Sequence, residues 1–259
     1  MTCLLKIFQR VKRLLGIPLR KGSYPKPLCE PDDLEEFAQP FGKPVKRIGK
    51  LIGQEHFPKK VKLYPENIDG PSLLRVPSWI KNPLGKYYLY FGNHSGKYIR
   101  LAYSDSIEGP YTIHEPGCCP VEDHPIKGMG HIASPDVLVN EEEKEIWLYL
   151  HAGLKKPYAE QAAIPKQNTF LATSKDGLHF TIEREPLCES YFKSFSYRRE
   201  LYGVGKGAPN RARQVYKTNR GRVPFVKGPY FFEGGRHNAV YRDGSVLYVF
   251  FTRKFDVPE

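Results

Sequence analysis

The stretch GKYYLYFGN (residues 85–93) decides the fold, because its pattern comes back as KEIWLYLHA (144–152), RELYGVGKG (199–207) and GSVLYVFFT (244–252). Each copy is short, rich in aromatic and β-branched side chains and bounded by turn formers, which marks a strand and not a helix. Before each copy lies a second strand pattern, DGPSLLRVP (69–77), ASPDVLVNE (133–141), YFKSFSYRR (191–199) and RHNAVYRDG (236–244). After the first three comes another, KYIRLAYSDS (97–106), NTFLATSKDG (168–177) and RARQVYKTNRG (211–221), and two of these run on into GPYTIHEPG (109–117) and HFTIEREPL (179–187). The unit is a four-stranded antiparallel meander closed by Asp-Gly and Asn-Arg-Gly turns. A lone meander exposes both faces, and stacking copies radially buries them, so the repeat predicts an all-β chain of propeller blades. Three blades and half of a fourth are countable. Either residues 20–66 complete the ring or the chain carries only part of it.

Composition agrees. The 259 residues include 17 Tyr, 15 Phe, 23 Gly and 23 Pro, a balance that favours many short strands and turns and excludes coiled coil and disorder. No apolar run approaches the roughly 20 residues that a membrane helix needs. The net charge of +12 is unevenly placed. Residues 1–66 carry a net +7 and residues 191–230 a net +9, so the rest is slightly acidic. Two basic patches on a neutral body suggest a basic tail and one basic sector rather than a surface built for nucleic acid. The residues MTCLLKIFQRVKRLLGIPL at the N-terminus (1–19) are too often interrupted by Lys and Arg for a secretion signal. They predict a basic amphipathic helix over residues 1–21 that docks on the domain or touches a membrane surface. A Pro- and charge-rich arm or closing strand follows over 22–66, and the propeller over 67–259. The five cysteines, Cys3, Cys29, Cys118, Cys119 and Cys188, form no CxxC pair, which fits a reducing, cytoplasmic setting.

The series GKYYLYFGN, IRLAYSDSIEGPYTIHEPG (99–117), HIASPDVLVN (131–140) and EIWLYLHAG (145–153) resembles the five-bladed propellers of glycoside hydrolase family 43 and its clan, across residues 67–254. What the resemblance implies is inverting hydrolysis of a poly- or oligosaccharide by carboxylates at the funnel end of the innermost strands. Such chemistry needs one carboxylate as base towards a water and one carboxyl with raised pKa as acid. By the resemblance, Asp69 takes the place of the base and Asp136 that of the carboxylate that tunes the acid. Glu233, in FFEGGRHNAV (231–240), is the provisional acid, because the strand starts at 191–193 and 236–238 hold no carboxylate. Glu189 is a weaker candidate, and Glu108 sits in a turn between outer strands. Trp79, His131, His151, Arg236 and His237 are expected to bind substrate, with Tyr98, Tyr191 and Phe192 as further sugar-stacking rings.

No cofactor is expected. Histidines drawn from different blades do not by their spacing make a metal site. A second reading is a propeller without catalysis that binds an anionic glycan or another polyanion through Lys193, Arg198, Arg199, Lys206, Arg211 and Arg213. Binding through exposed cations of that kind should weaken as salt rises.

Overall fold

The computed structural model describes residues 49–57, 68–93, 96–155, 158, 166–206, 213–218, 220–232, 235–243 and 246–253. The chain divides into two compact units, Met1–Leu51 and Ile52–Glu259. The helix expected over residues 1–21 and most of the arm over 22–66 lie outside the described residues.

The second unit is built from antiparallel sheets in chain order. β1 (Asp69–Arg75), β2 (Tyr87–Gly92), β3 (Tyr98–Ser104) and β4 (Thr112–Pro120) make the first. β5 (Met129–Asn140), β6 (Glu145–Leu154), β7 (Gln167–Ser174) and β8 (Thr181–Ile182) make the second, with the two-residue β9 (Cys188–Glu189) also paired to β7. β10 (Lys193–Tyr197), β11 (Glu200–Lys206), β12 (Arg213–Lys217) and β13 (Val226–Phe232) make the third, and β14 (Gly235–Asp243) pairs with β15 (Val246–Arg253). The repeat is thus present as successive four-stranded sheets, a propeller-like arrangement. β13 was not foreseen. Gly228 and Pro229 interrupt its pattern, and a proline is tolerated in a sheet only at an edge, which is where β13 lies, next to β12 alone.

The core lies between sheets more than within them. One apolar cluster joins Leu74, Tyr88, Tyr90 and Leu101 of the first sheet to Ile132, Leu148, Leu150 and Phe170 of the second. Another joins Trp147, Tyr149 and Leu171 of the second to Phe192 and Tyr216 of the third. Burial from both sides explains why β2 and β6 are apolar without alternation, since every residue from Tyr88 to Gly92 and from Ile146 to Leu154 is buried. Residues 52–57 of the expected arm join this unit. Ile52 and Phe57 are buried, Phe57 meets Phe91 edge-on at 6.4 Å, and the Arg100 guanidinium lies over both rings.

Equivalent tyrosines bind neighbouring sheets. Tyr90 on β2 donates its hydroxyl to the carbonyl of Gly177 in the turn after β7 (2.7 Å), and Tyr149 on β6 donates to that of Gly221 in the turn after β12 (2.9 Å). Both glycines have positive φ, +75° and +78°, and a β-carbon would stand 2.8 Å and 2.6 Å from the respective hydroxyl oxygens. Only glycine fits a left-handed turn this close to a ring.

His124, after the 3-10 turn Val121–Asp123, is buried edge-on against Phe170 at 4.5 Å. Its Nδ1 accepts from the Ile126 amide (3.1 Å) while Nε2 finds no partner, so the ring is neutral, and burial lowers its pKa to about 4. The unfolded chain takes up this proton near pH 6.5 and the folded chain only near 4, so stability is lost as pH falls through that window. The loss should be on the order of 2–3 kcal/mol. His124→Asn keeps an acceptor for Ile126 but cannot charge, so its melting temperature should fall less between pH 7 and 4. Parallel pH profiles for the two proteins would refute this.

Candidate functional site

β1 and β5 begin with matching irregularities. On β1 the register slips between Asp69, opposite Gly92, and Ser72, opposite Tyr90; on β5 it slips between Ala133, opposite His151, and Asp136, opposite Tyr149. A proline, Pro71 or Pro135, falls in each slip, where the ladder needs no donor. The two slips touch. Gly70, at φ +54°, approaches so closely that a β-carbon would stand 2.9 Å from Ser134 Cα. That contact brings the carboxylates together: Ser134 donates its hydroxyl to Asp69 Oδ2 (3.1 Å), and Asp136 is two residues further along β5.

The third sheet closes the cluster with a cation. Lys193, first residue of β10, is buried and directs its ammonium at the Pro135 carbonyl, the Gly70 carbonyl (3.3 Å) and Asp136 Oδ1 (3.6 Å). Its neighbour Ser194 donates both backbone N–H (2.7 Å) and hydroxyl (2.5 Å) to Asp136 Oδ2. Burial lowers the Lys193 pKa from its ordinary value, and Asp136 and Asp69 both pull it up without restoring it. One ammonium thus connects the first strands of the first three sheets. Its part was missed in the sequence because a charge count over 191–230 cannot tell an internal cation from a surface one.

Next to this cluster stand rings and a second buried cation. His151 on β6 packs edge-on against His131 at 5.4 Å and against Tyr191 at 4.6 Å, and Gln167 Nε2 lies 3.4 Å from His131 Nε2. The Arg213 guanidinium lies 5.8 Å from the Tyr191 ring centroid. Asp69, Asp136, His131 and His151 are therefore gathered at one end of the sheets. Trp79 is not. It follows the far end of β1, bonds Glu141 beyond the far end of β5 (3.2 Å), and packs on the core there. Arg236 and His237 are near the start of β14, their side chains outside the described residues, as is the whole of Glu233.

Glu189 does not have the character of an acid catalyst. Burial pushes its pKa up, but hydrogen bonds from Lys227 and Tyr216 more than offset this and leave it below the ordinary value. Glu108 is exposed in the turn before β4, as its sequence context implies. The basic sector is less open than its charge suggests. Lys193 and Arg213 are buried, while Arg222 pairs with Glu143, Glu145 and Glu183. Arg198, Arg199 and Lys206 remain exposed, and Arg211 lies outside the described residues.

No protein-family model matches the chain. It is 27% identical over 220 residues to an uncharacterized protein of Acanthamoeba polyphaga mimivirus, covering 74% of this chain and 60% of that protein, so the chain spans less than two thirds of the relative's length. Among solved structures it is similar to an α-L-arabinofuranosidase from Clostridium thermocellum, with a TM-score of 0.51, 17% identity, and coverage of 70% of this chain and 59% of that one. It is also similar to a family-43 β-1,3-galactosidase determined with galactodeoxynojirimycin, with a TM-score of 0.56, 11% identity, and coverage of 73% and 70%. An exo-β-1,3-galactanase from Phanerochaete chrysosporium gives a TM-score of 0.55 at 10% identity, with coverage of 73% and 44%. At these identities the likeness is one of fold, and the fold is that of the family-43 glycoside hydrolases.

Proposed function

We propose that the protein acts on a glycan at the end of the sheets where Asp69 and Asp136 meet, by inverting hydrolysis within a five-bladed ring. The observation that carries this reading is the convergence of the two aspartates from successive sheets, Asp69 held by Ser134 and Asp136 by Ser194 and Lys193. Asp69 is the base towards water. Asp136, tied to the third sheet, sets the local charge and orientation, and Glu233 remains the acid. Inversion needs the acid and base carboxyls roughly 6.5–9.5 Å apart, with water between them.

Lys193 favours a second reading. It occupies the first strand of the third sheet, where no described carboxylate stands, and a site without an acid binds sugar but does not cleave it. The two are separated by incubating the protein with a panel of α- and β-linked oligosaccharides while following the first sugar released by proton NMR. Release of the anomer opposite to that of the bond cleaved supports inversion, and the same anomer overturns it. Binding without turnover assigns the site to recognition alone.

A further inference from the structure

Arg213 opens β12 and is almost fully buried, at 3% exposure. Its Nε and Nη1 have no hydrogen-bond partner, and no carboxylate pairs with it among the described residues. A buried charge that no described carboxylate balances is costly and persists in few proteins. The other buried cations have partners: Lys193 directs its ammonium at two carbonyls and a carboxylate, and Arg100 donates to the Gly92 carbonyl (2.7 Å) while lying over Phe57 and Phe91. Burial lowers the Arg213 pKa to about 10, which still leaves the guanidinium charged at neutral pH.

A second polar group is left open close by. Ser190 is 1% exposed and its Oγ has no partner. It reaches Arg213 through the ladder, since its carbonyl accepts from the Lys206 amide (2.8 Å) and Lys206 is the register partner of Arg213. Tyr191, next to Ser190 in the chain, is held at φ +63°, a conformation a bulky side chain rarely takes and one that recurs at ligand sites. The Arg213 guanidinium carbon lies 5.8 Å from its ring centroid, and the His151 ring meets it edge-on at 4.6 Å. His151 is two residues beyond Tyr149, the register partner of Asp136, which is roughly 6.6–6.8 Å along β6.

We propose that Arg213, with Ser190, is an anion-binding subsite beside the Asp69 and Asp136 cluster that takes the carboxylate of a uronic-acid residue in the glycan. The proposal rests on the reading of that cluster as a carbohydrate site. A single guanidinium matches a monoanion, and guanidinium groups suit the planar two-oxygen geometry of a carboxylate.

The test is calorimetry on the full chain and on Arg213→Met, using uronic-acid oligosaccharides, each paired with its carboxyl-reduced form, and sulfated oligosaccharides. The wild type should bind acidic forms roughly 10–100-fold more tightly than their neutral partners. That preference should vanish in Arg213→Met and, in the wild type, persist in 0.5 M salt. Equal affinity for acidic and neutral forms overturns the subsite and spares the carbohydrate reading; no binding of any sugar overturns both. A preference that disappears with salt moves the contact to Arg198, Arg199 and Lys206, and stronger binding of sulfated forms overturns the choice of carboxylate. The Arg213→Met melting temperature should equal or exceed that of the wild type, and a fall of several degrees would make Arg213 structural and overturn the proposal.

Discussion

Asp69→Asn is expected to lower kcat/KM on a cleaved glycan by about 10²–10⁴-fold, with KM little changed. An asparagine has the size of the aspartate and still accepts from the Ser134 hydroxyl, so the contact between β1 and β5 survives. What it cannot do is take a proton from water as the glycosidic bond breaks. The loss corresponds to about 3–5 kcal/mol of barrier and belongs to the chemical step. Ser134→Ala should cost far less, because it removes only one hydrogen bond to Asp69. Full activity in Asp69→Asn would displace the base to another residue.

Lys193→Met is expected to have the largest effect on stability. The substitution leaves the Gly70 and Pro135 carbonyls without their donor and Asp136 as a buried carboxylate without its cation. Breaking a buried pair from one side costs about 3–5 kcal/mol. For a domain of this size that is a fall of about 10 °C in melting temperature. The lowered pKa of Lys193 shows that burial outweighs the attraction of both aspartates, so the pair is not itself a net source of stability. Lys193→Met combined with Asp136→Asn should therefore recover part of the loss, since the stranded charge is gone while Ser194 keeps its acceptor. A single variant that melts within 2 °C of the wild type, or a double variant no better than the single, would contradict this account.

The strands were legible because short runs of dense aromatic and β-branched side chains, bounded by turn formers, recur in every copy of the repeat, as in residues 85–93 and 144–152. β13 was not, because Gly228 and Pro229 read as a turn until β12 is there to pair with them. Asp69 and Asp136 could be placed because they open equivalent strands of successive copies, each near a proline, where the resemblance puts carboxylates. The register slips that bring them together could not, since a slip depends on the partner strand as much as on the residue that bulges. Lys193 and Arg213 are the clearest misses. Both were counted with the basic surface, yet only burial tells a cation saturated by carbonyls from one left open, and burial depends on three sheets at once. Trp79 had the right chemistry for a sugar platform and stands at the other end of its sheet.

The clasp of Tyr90 by Gly177, and of Tyr149 by Gly221, makes a single sheet the wrong unit for dissection. Each phenol finishes its hydrogen bonding only in a turn that the following sheet supplies, so a fragment cut cleanly between sheets would strand a buried hydroxyl at a cost of about 1–3 kcal/mol. Backbone amides of β6 and those near Gly221 should accordingly exchange with deuterium as one cooperative block that straddles the second and third sheets. Anyone trimming, permuting or grafting this repeat should count its modules from one turn glycine to the next.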